Sequence, residues 1–297
     1  MAKNTLWAKL AGAALFMYTA PTLANLGAYG DVQTLSVNQL AKRLNEVVVV
    51  DVRSPLEYQL LHIKGAINIP VINWRFGKKI RALTAKSDKA IVFYCGDSSC
   101  TDSYNAAHKA KTRYQVKKTY ALKSGMLAWL NAYPDLATLR GKSPVKSTDL
   151  ISETDFQSRV VKPMAFEKYI NKDALLLDVR AGVEREGVGI FFGHEEWVDI
   201  NREKEIRAFL VQAKASGKPL LVYDNEGHQT RWLQYALEDL GIKEYYFLDS
   251  GALGYQQMVR NMHKGDWDRR RLVPAMENGD HNQAKSKDNS VSKHHGH

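Results

Sequence analysis

The sequence predicts an α/β protein built from two tandem copies of one small domain, each a parallel sheet with helices on both faces. Two observations predict it. Apolar strand runs alternate with amphipathic helical stretches, the pattern of a parallel sheet covered on both sides. In addition, three pairs of segments recur in the same order at nearly one offset. NEVVVVDVRSPLEY around Asp51 matches KDALLLDVRAGVER around Asp178, 127 residues on. DKAIVFYCGDSSC, through Tyr94, matches KPLLVYDNEGHQT, through Tyr223, at 129, and YALKSGMLAWL near Gly125 matches YFLDSGALGYQ near Gly251 at 126. Ordered recurrence at a fixed period marks a duplicated unit.

The elements follow in chain order. Residues 1–24, MAKNTLWAKLAGAALFMYTAPTLA, carry two lysines, an apolar run, then Pro21 and the ending Thr22-Leu23-Ala24. That is the order of a secretory signal peptide cut after Ala24. An uncut membrane anchor is the alternative, but the uncharged run after Lys9 is interrupted by Pro21 and falls short of the roughly 20 apolar residues a bilayer needs. No cysteine lies near the cut, which argues against a lipid anchor. The mature protein is therefore expected in a bacterial periplasm or outside the cell, with no stable membrane insertion after cleavage.

Residues 31–140 form the first expected domain. Its runs VVVVD and AIVFY are continuously apolar, as strands buried on both faces are. VNQLAKRLNE and SYNAAHKAKTRY place apolar residues at helical spacing. Residues 141–152, polar with one proline, read as a linker. Residues 153–265 form the second domain, with helices in KEIRAFLVQAKASG and TRWLQYALEDLG, the latter stopped by Gly241. In residues 266–297 charge, Asn and Ser dominate, so this tail is expected to be disordered. It holds His281, His294, His295 and His297. Neutral imidazoles bind Zn, Cu or Ni, but a solvated tail accounts for them, and no metal site is expected.

Composition agrees with this organisation. The 297 residues are 44% hydrophobic and 25% charged, ordinary globular values that exclude collagen, coiled coil and wholesale disorder. Lys plus Arg is 42 against 32 acids, a formal charge of +10, and loss of Lys3 and Lys9 with the leader leaves +8. The basic residues are scattered among acids apart from Arg269, Arg270 and Arg271. No basic stripe with interleaved aromatics emerges, so no nucleic-acid partner is expected. The excess serves solubility and a mild attraction for anions.

The two cysteines, Cys95 and Cys100, are too close in sequence to brace a fold of this size, so they call for local chemistry. In an open α/β sheet, sites form where strands end at their carboxyl edge and helices begin. Cys95 occupies such a point, after Ile91-Val92-Phe93-Tyr94 and before the polar loop Gly96-Asp97-Ser98-Ser99-Cys100-Thr101. Loop amides and the helix N-terminus would lower the thiol pKa and make a thiolate nucleophile. An inert buried cysteine at a strand end is the alternative.

Four stretches together resemble the rhodanese family: DVRSPLEY at Asp51–Tyr58, HIKGAINIP at His62–Pro70, the Cys95 loop, and LKSGMLAW at Leu122–Trp129. With the second copy, the resemblance covers about residues 31–262 and implies two tandem rhodanese-like domains. It implies a sulfurtransferase in which Cys95 takes sulfane sulfur from a donor such as thiosulfate, a persulfide or polysulfide. The Cys95 persulfide then passes that sulfur to a thiophilic acceptor. Gly96, Asp97, Ser98, Ser99, Cys100 and Thr101 match the loop whose amides would bind it. Two half-reactions imply ping-pong kinetics. No cofactor is implied, and the partners are a small sulfur-containing substrate or a thiol acceptor protein.

The loop departs from the family pattern. Asp97, Ser98 and Ser99 stand where many members carry Arg or Lys, so Asp97 would repel dianionic thiosulfate unless Arg75 or Lys123 compensates. Cys100 reads either as a resolving thiol that attacks the persulfide or bonds to Cys95, or as a small buried residue or an idle disulfide partner. Phosphatase chemistry needs Arg where this chain has Thr101, and is set aside. In the second copy Asp224 takes the place of Cys95, so that domain is expected to be non-catalytic. His228 in its loop reads as solvated. The Asp51–Arg53 and Asp178–Arg180 pairs, present in both copies, read as structural. Two other functions stay open: a non-enzymatic periplasmic binding or scaffold protein of this fold, and a thiol-disulfide relay through Cys95 and Cys100.

Overall fold

A computed structural model describes residues 29–170, 172–185 and 189–262. The leader at 1–24 and the tail at 266–297 lie outside the described residues. The first half contains β1 (Gln33–Leu35), β2 (Val47–Asp51), β3 (Leu61–Ile63), β4 (Ile67–Asn68), β5 (Ala90–Tyr94), β6 (Thr119–Leu122) and β7 (Ala137–Leu139). The second contains β8 (Val160–Val161), β9 (Leu175–Asp178), β10 (Glu195–Trp197), β11 (Leu220–Tyr223) and β12 (Tyr245–Leu248). Five strands of the first half form a parallel sheet in the order β1-β6-β5-β2-β4, and the second half repeats it as β8-β12-β11-β9-β10. Corresponding strands thus occupy corresponding places, as the repeated segments require.

Burial on both faces explains the continuous apolar runs. Along β5, Val92 and Tyr94 enter one core, while Ile91 and Phe93, followed by Cys95, enter the other. One face is covered by the helices Pro55–Leu60 and Gly125–Ala132 through Leu56, Leu60, Met126 and Trp129. The opposite face takes Phe76 and Ile80 from the helix Phe76–Thr84, with Ala106, Ala107 and Ala110 from the helix Asp102–Tyr114. Three alanines along one stripe let that helix lie close to the strands.

The helix expected over VNQLAKRLNE is shorter, Val37–Lys42. A Ser36–Gln39 capping box fixes its start, and Arg43–Glu46 turn to deliver Val47 to β2. Antiparallel pairing of β3 with β7 has no counterpart in the sequence reading, because both strands are three residues long. The segment 141–152 crosses between the halves pinned to them. Val145 is buried, and the Ile151 amide donates to the Tyr235 hydroxyl at 3.0 Å.

The halves share apolar packing. Leu56, Leu60 and Leu61 of the first half belong to the same buried cluster as Ala181, Ile200, Trp232 and Leu233 of the second. No helix among the described residues is long and apolar enough to cross a membrane.

In both halves the Asp-Val-Arg motif ends a strand with a buried ion pair. Arg53 donates from its amide and Nε to Asp51 Oδ1 (2.9 and 3.1 Å) and from Nη2 to Oδ2 (2.6 Å), and Nη2 also reaches the Leu61 carbonyl (2.6 Å). Arg180 repeats the pattern on Asp178 at 3.0, 3.0 and 2.7 Å. The Arg53–Asp51 side chains are 3% and 0% exposed, so removing one partner strands a buried charge. Asp51→Asn is therefore expected to cost about 3 to 5 kcal/mol of unfolding free energy, read as the drop in a urea denaturation midpoint.

Candidate active site

Cys95 directly follows β5, and Gly96–Thr101 carry the chain into the helix Asp102–Tyr114. The turn after β6 holds this loop from below. Ser124 and Gly125 both take left-handed conformations, φ 90° and 62°. They aim the Met126 amide at the Cys95 carbonyl (2.8 Å) and the Leu127 amide at the Gly96 carbonyl (2.9 Å). A Cβ on Gly125 would stand 2.7 Å from the Asp97 nitrogen and 2.8 Å from the Cys95 oxygen, so glycine is required there. The second half is built identically. Ser250 and Gly251 have φ 57° and 56°, and the Ala252 and Leu253 amides reach the carbonyls of Asp224 (2.9 Å) and Asn225 (3.0 Å).

Cys95 is bonded to Cys100 in a disulfide with a Cα–Cα distance of 6.3 Å, within the usual span. Of the alternatives left open for these two cysteines the structure holds the bonded one, and Cys95 carries no free thiol in it. Cys95 is 0% exposed, and its sulfur lies 3.3 Å from the Cys100 carbonyl oxygen and 3.6 Å from Ser103 Oγ. Half-buried Cys100 is the sulfur that faces the cavities.

Gly96 is buried against the second half, where an added Cβ would meet Trp232 Nε1 at 3.2 Å. Asp97 turns back into its own loop and accepts from the Ser99 amide (2.8 Å) and hydroxyl. Ser98 is exposed beside a separate groove that Phe247 and Arg231 also line. Thr101 is half-buried at the helix start.

Asp224 shows what this loop shape does around an anion. Its carboxylate, at the place corresponding to the Cys95 thiol, accepts from the amides of Gly227, Gln229 and Thr230 (3.0 Å for Thr230). Burial pushes its pKa up, and the three amides oppose that shift.

The two loops face each other. His228 Nε2 lies 3.3 Å from Ser99 Oγ, and Nδ1 lies 3.7 Å from Asp97 Oδ2. His228, read as merely solvated, is an inter-half contact. Its position in the loop matching the Cys95 loop was the available signal.

Cys100 lines a cavity of about 90 Å3 with Gly96, Asp97, Glu57, Glu184 and Trp232, and an open cleft of about 550 Å3 with Asp102, Glu184 and Glu226. These walls are acidic. Arg53 lines the smaller cavity but is paired with Asp51, and the compensation expected from Arg75 or Lys123 is missing from both cavities. Arg75 stacks on Trp74 at 4.4 Å. Burial, reinforced by the negative charges of Asp224, Asp102 and Glu226, pushes Glu184 up to about 7. Among the described residues no group of three or more His, Cys, Asp or Glu side chains could hold a metal ion.

A family model for the rhodanese-like domain matches residues 36–132. Residues 36–132 are a rhodanese-like domain. The chain is 36% identical over 104 residues to an HTH-type transcriptional regulator of Mycobacterium tuberculosis, a match covering 35% of this chain and 43% of that protein. The chain thus spans less than half the length of that curated relative. Among solved structures, a thiosulfate sulfurtransferase from Pseudomonas aeruginosa is similar at 18% identity and TM-score 0.35, covering 76% of this chain and 44% of that one. A rhodanese-like domain from Anabaena is similar at 21% identity and TM-score 0.28, covering 33% and 73%.

Within the rhodanese-like domain, two groups allow direct tests. Gly125→Ala places a methyl against the Cys95 loop and forces a left-handed alanine, and is expected to lower stability by more than about 1 kcal/mol, read as the shift of a urea midpoint. Glu57 is buried in the Ser54 capping box, and burial raises its pKa from 4.5 to about 7, with Arg53 opposing. Its folded pKa exceeds the unfolded one, so the native state holds the proton more tightly. The contribution of Glu57 to stability is therefore fullest below pH 4.5 and declines as pH rises to about 7. Glu57→Gln is expected to remove up to about 3 kcal/mol of that decline, measured by denaturation at either end of the window.

Proposed function

We propose that the protein is an exported sulfurtransferase in which Cys95, once the disulfide is reduced, carries sulfane sulfur as a persulfide. The observation that carries this reading is the Cys95–Cys100 pair at the carboxyl end of β5, inside a rhodanese-like domain. Helix Asp102–Tyr114 begins just beyond the pair, and its positive end favours a thiolate over a thiol. Reduction frees Cys100 to swing away and opens Cys95 to the donor.

The thiolate attacks the outer sulfur of the donor, the donor's S–S bond breaks, and with thiosulfate the leaving group is sulfite. The persulfide then passes its outer sulfur to a thiophilic acceptor, a small molecule or a protein thiol. The acidic walls disfavour dianionic thiosulfate relative to neutral or singly charged persulfide donors.

In this reading the second half is a further, non-catalytic copy of the domain. Its matching strand order supports that, and so does a carboxylate at the position of the nucleophile. Export suits a chain that keeps its two cysteines bonded, because oxidising compartments preserve disulfides. The bonded pair also favours a second reading, a thiol-disulfide relay through Cys95 and Cys100.

Sulfite release from thiosulfate in the presence of a reducing thiol tests the first reading. Cys95→Ser is expected to reduce it to background and Asp224→Asn to leave it in place. Equal release by wild type and Cys95→Ser would overturn it. Thiol oxidation that needs both cysteines but yields no sulfite would support the relay.

A further inference from the structure

We propose that Cys100 is the chain's own acceptor: it displaces the sulfane sulfur from Cys95 as sulfide, and the Cys95–Cys100 disulfide is the product of that step. The inference rests on the sulfurtransferase reading and adds an activity to it, sulfide release without an external acceptor.

Three observations carry it. First, the loop backbone already lets the two sulfurs bond, with Cα atoms 6.3 Å apart. Second, that backbone is held in place. The Cys95 and Gly96 carbonyls are clamped by Met126 and Leu127, and the Asp97 carboxylate ties down the Ser99 amide. Holding two reactants at contact on a fixed frame gives an intramolecular thiol a large advantage over one arriving from solution. Third, Cys95 is fully buried, while its bonded partner Cys100 faces the cavities. An external acceptor meets Cys100 first, and Cys100 meets Cys95.

The step balances as follows. The Cys100 thiol gives up its proton and attacks Cys95 Sγ, and the bond from Sγ to the outer sulfur breaks. The outer sulfur leaves with the bonding pair and takes the proton, departing as hydrosulfide. The sulfane sulfur is reduced and the two thiols are oxidised to the disulfide. Return to the working state consumes two thiol groups from an external thiol or dithiol reductant. The first attacks Cys100 Sγ, the exposed sulfur, and expels Cys95 as thiolate at the helix start. The second releases Cys100. The acidic cavity walls make a neutral or cationic thiol the better reductant.

The test uses reduced full-length protein under anaerobic conditions, freed of reductant and mixed with thiosulfate or, separately, a thiosulfonate. Wild type is expected to release one sulfite from thiosulfate, or one sulfinate from the thiosulfonate, together with one sulfide per chain, and to finish two hydrogens lighter, with Cys95 bonded to Cys100 by intact mass. Cys100→Ser is expected to release the same sulfite or sulfinate, keep one added sulfur on Cys95, and yield sulfide only when a thiol is added. Its loading also shows that the variant is folded.

Wild type that retains the added sulfur and releases no sulfide would overturn the proposal and leave the sulfurtransferase reading standing. So would Cys100→Ser that releases sulfide unaided. Failure of Cys100→Ser to take sulfur from either donor would overturn both.

Discussion

The arrangement depends on one backbone constraint, the approach of the turn at Ser124–Gly125 to the underside of the Cys95 loop. Two consecutive left-handed residues turn a pair of amides upward, and those amides hold the carbonyls of Cys95 and Gly96. Without that clamp a polar loop of six residues would have many conformations open to it, and ordering it would cost the entropy of each. With it, the side chain at position 95 is fixed relative to the helix Asp102–Tyr114, and Cys100 is delivered to bonding distance. The glycine is part of the chemistry's geometry although it carries no reactive group.

The charge environment beside Cys100 disfavours anions. Glu57, Asp97, Glu184 and Glu226 line the cavities that Cys100 faces, and the guanidinium lining the smaller one, Arg53, is paired with Asp51. A site with this sign concentrates cations and neutral thiols rather than sulfur oxyanions. The burial that raises Glu57 and Glu184 to about 7 also makes the lining charge vary across neutral pH.

Much of this was legible in the sequence because it is local or repeated. The strands around Asp51 and Asp178, the loop after Tyr94 and the Gly125 and Gly251 turns recur at nearly one spacing, and the two sheets align strand for strand. The Asp51–Arg53 pair was readable as structural because Asp178–Arg180 repeats it in a copy without the thiol. What escaped depends on how the halves meet. Trp232 under Gly96, His228 against Ser99 and Glu184 beside Cys100 lie more than 80 residues from their partners, and no periodicity encodes such contacts. The bond between Cys95 and Cys100 escaped for another reason: it joins two side chains, while composition and spacing describe only the loop that carries them.

The carboxylate of Asp224, seated among the amides of its own loop, gives the cleft one wall that oxidants and reductants leave untouched. A cysteine pair changes its shape when electrons are added or removed, and an aspartate does not. Cys100 and Asp224 line the same cleft, so one of its walls can change with redox state and the other cannot.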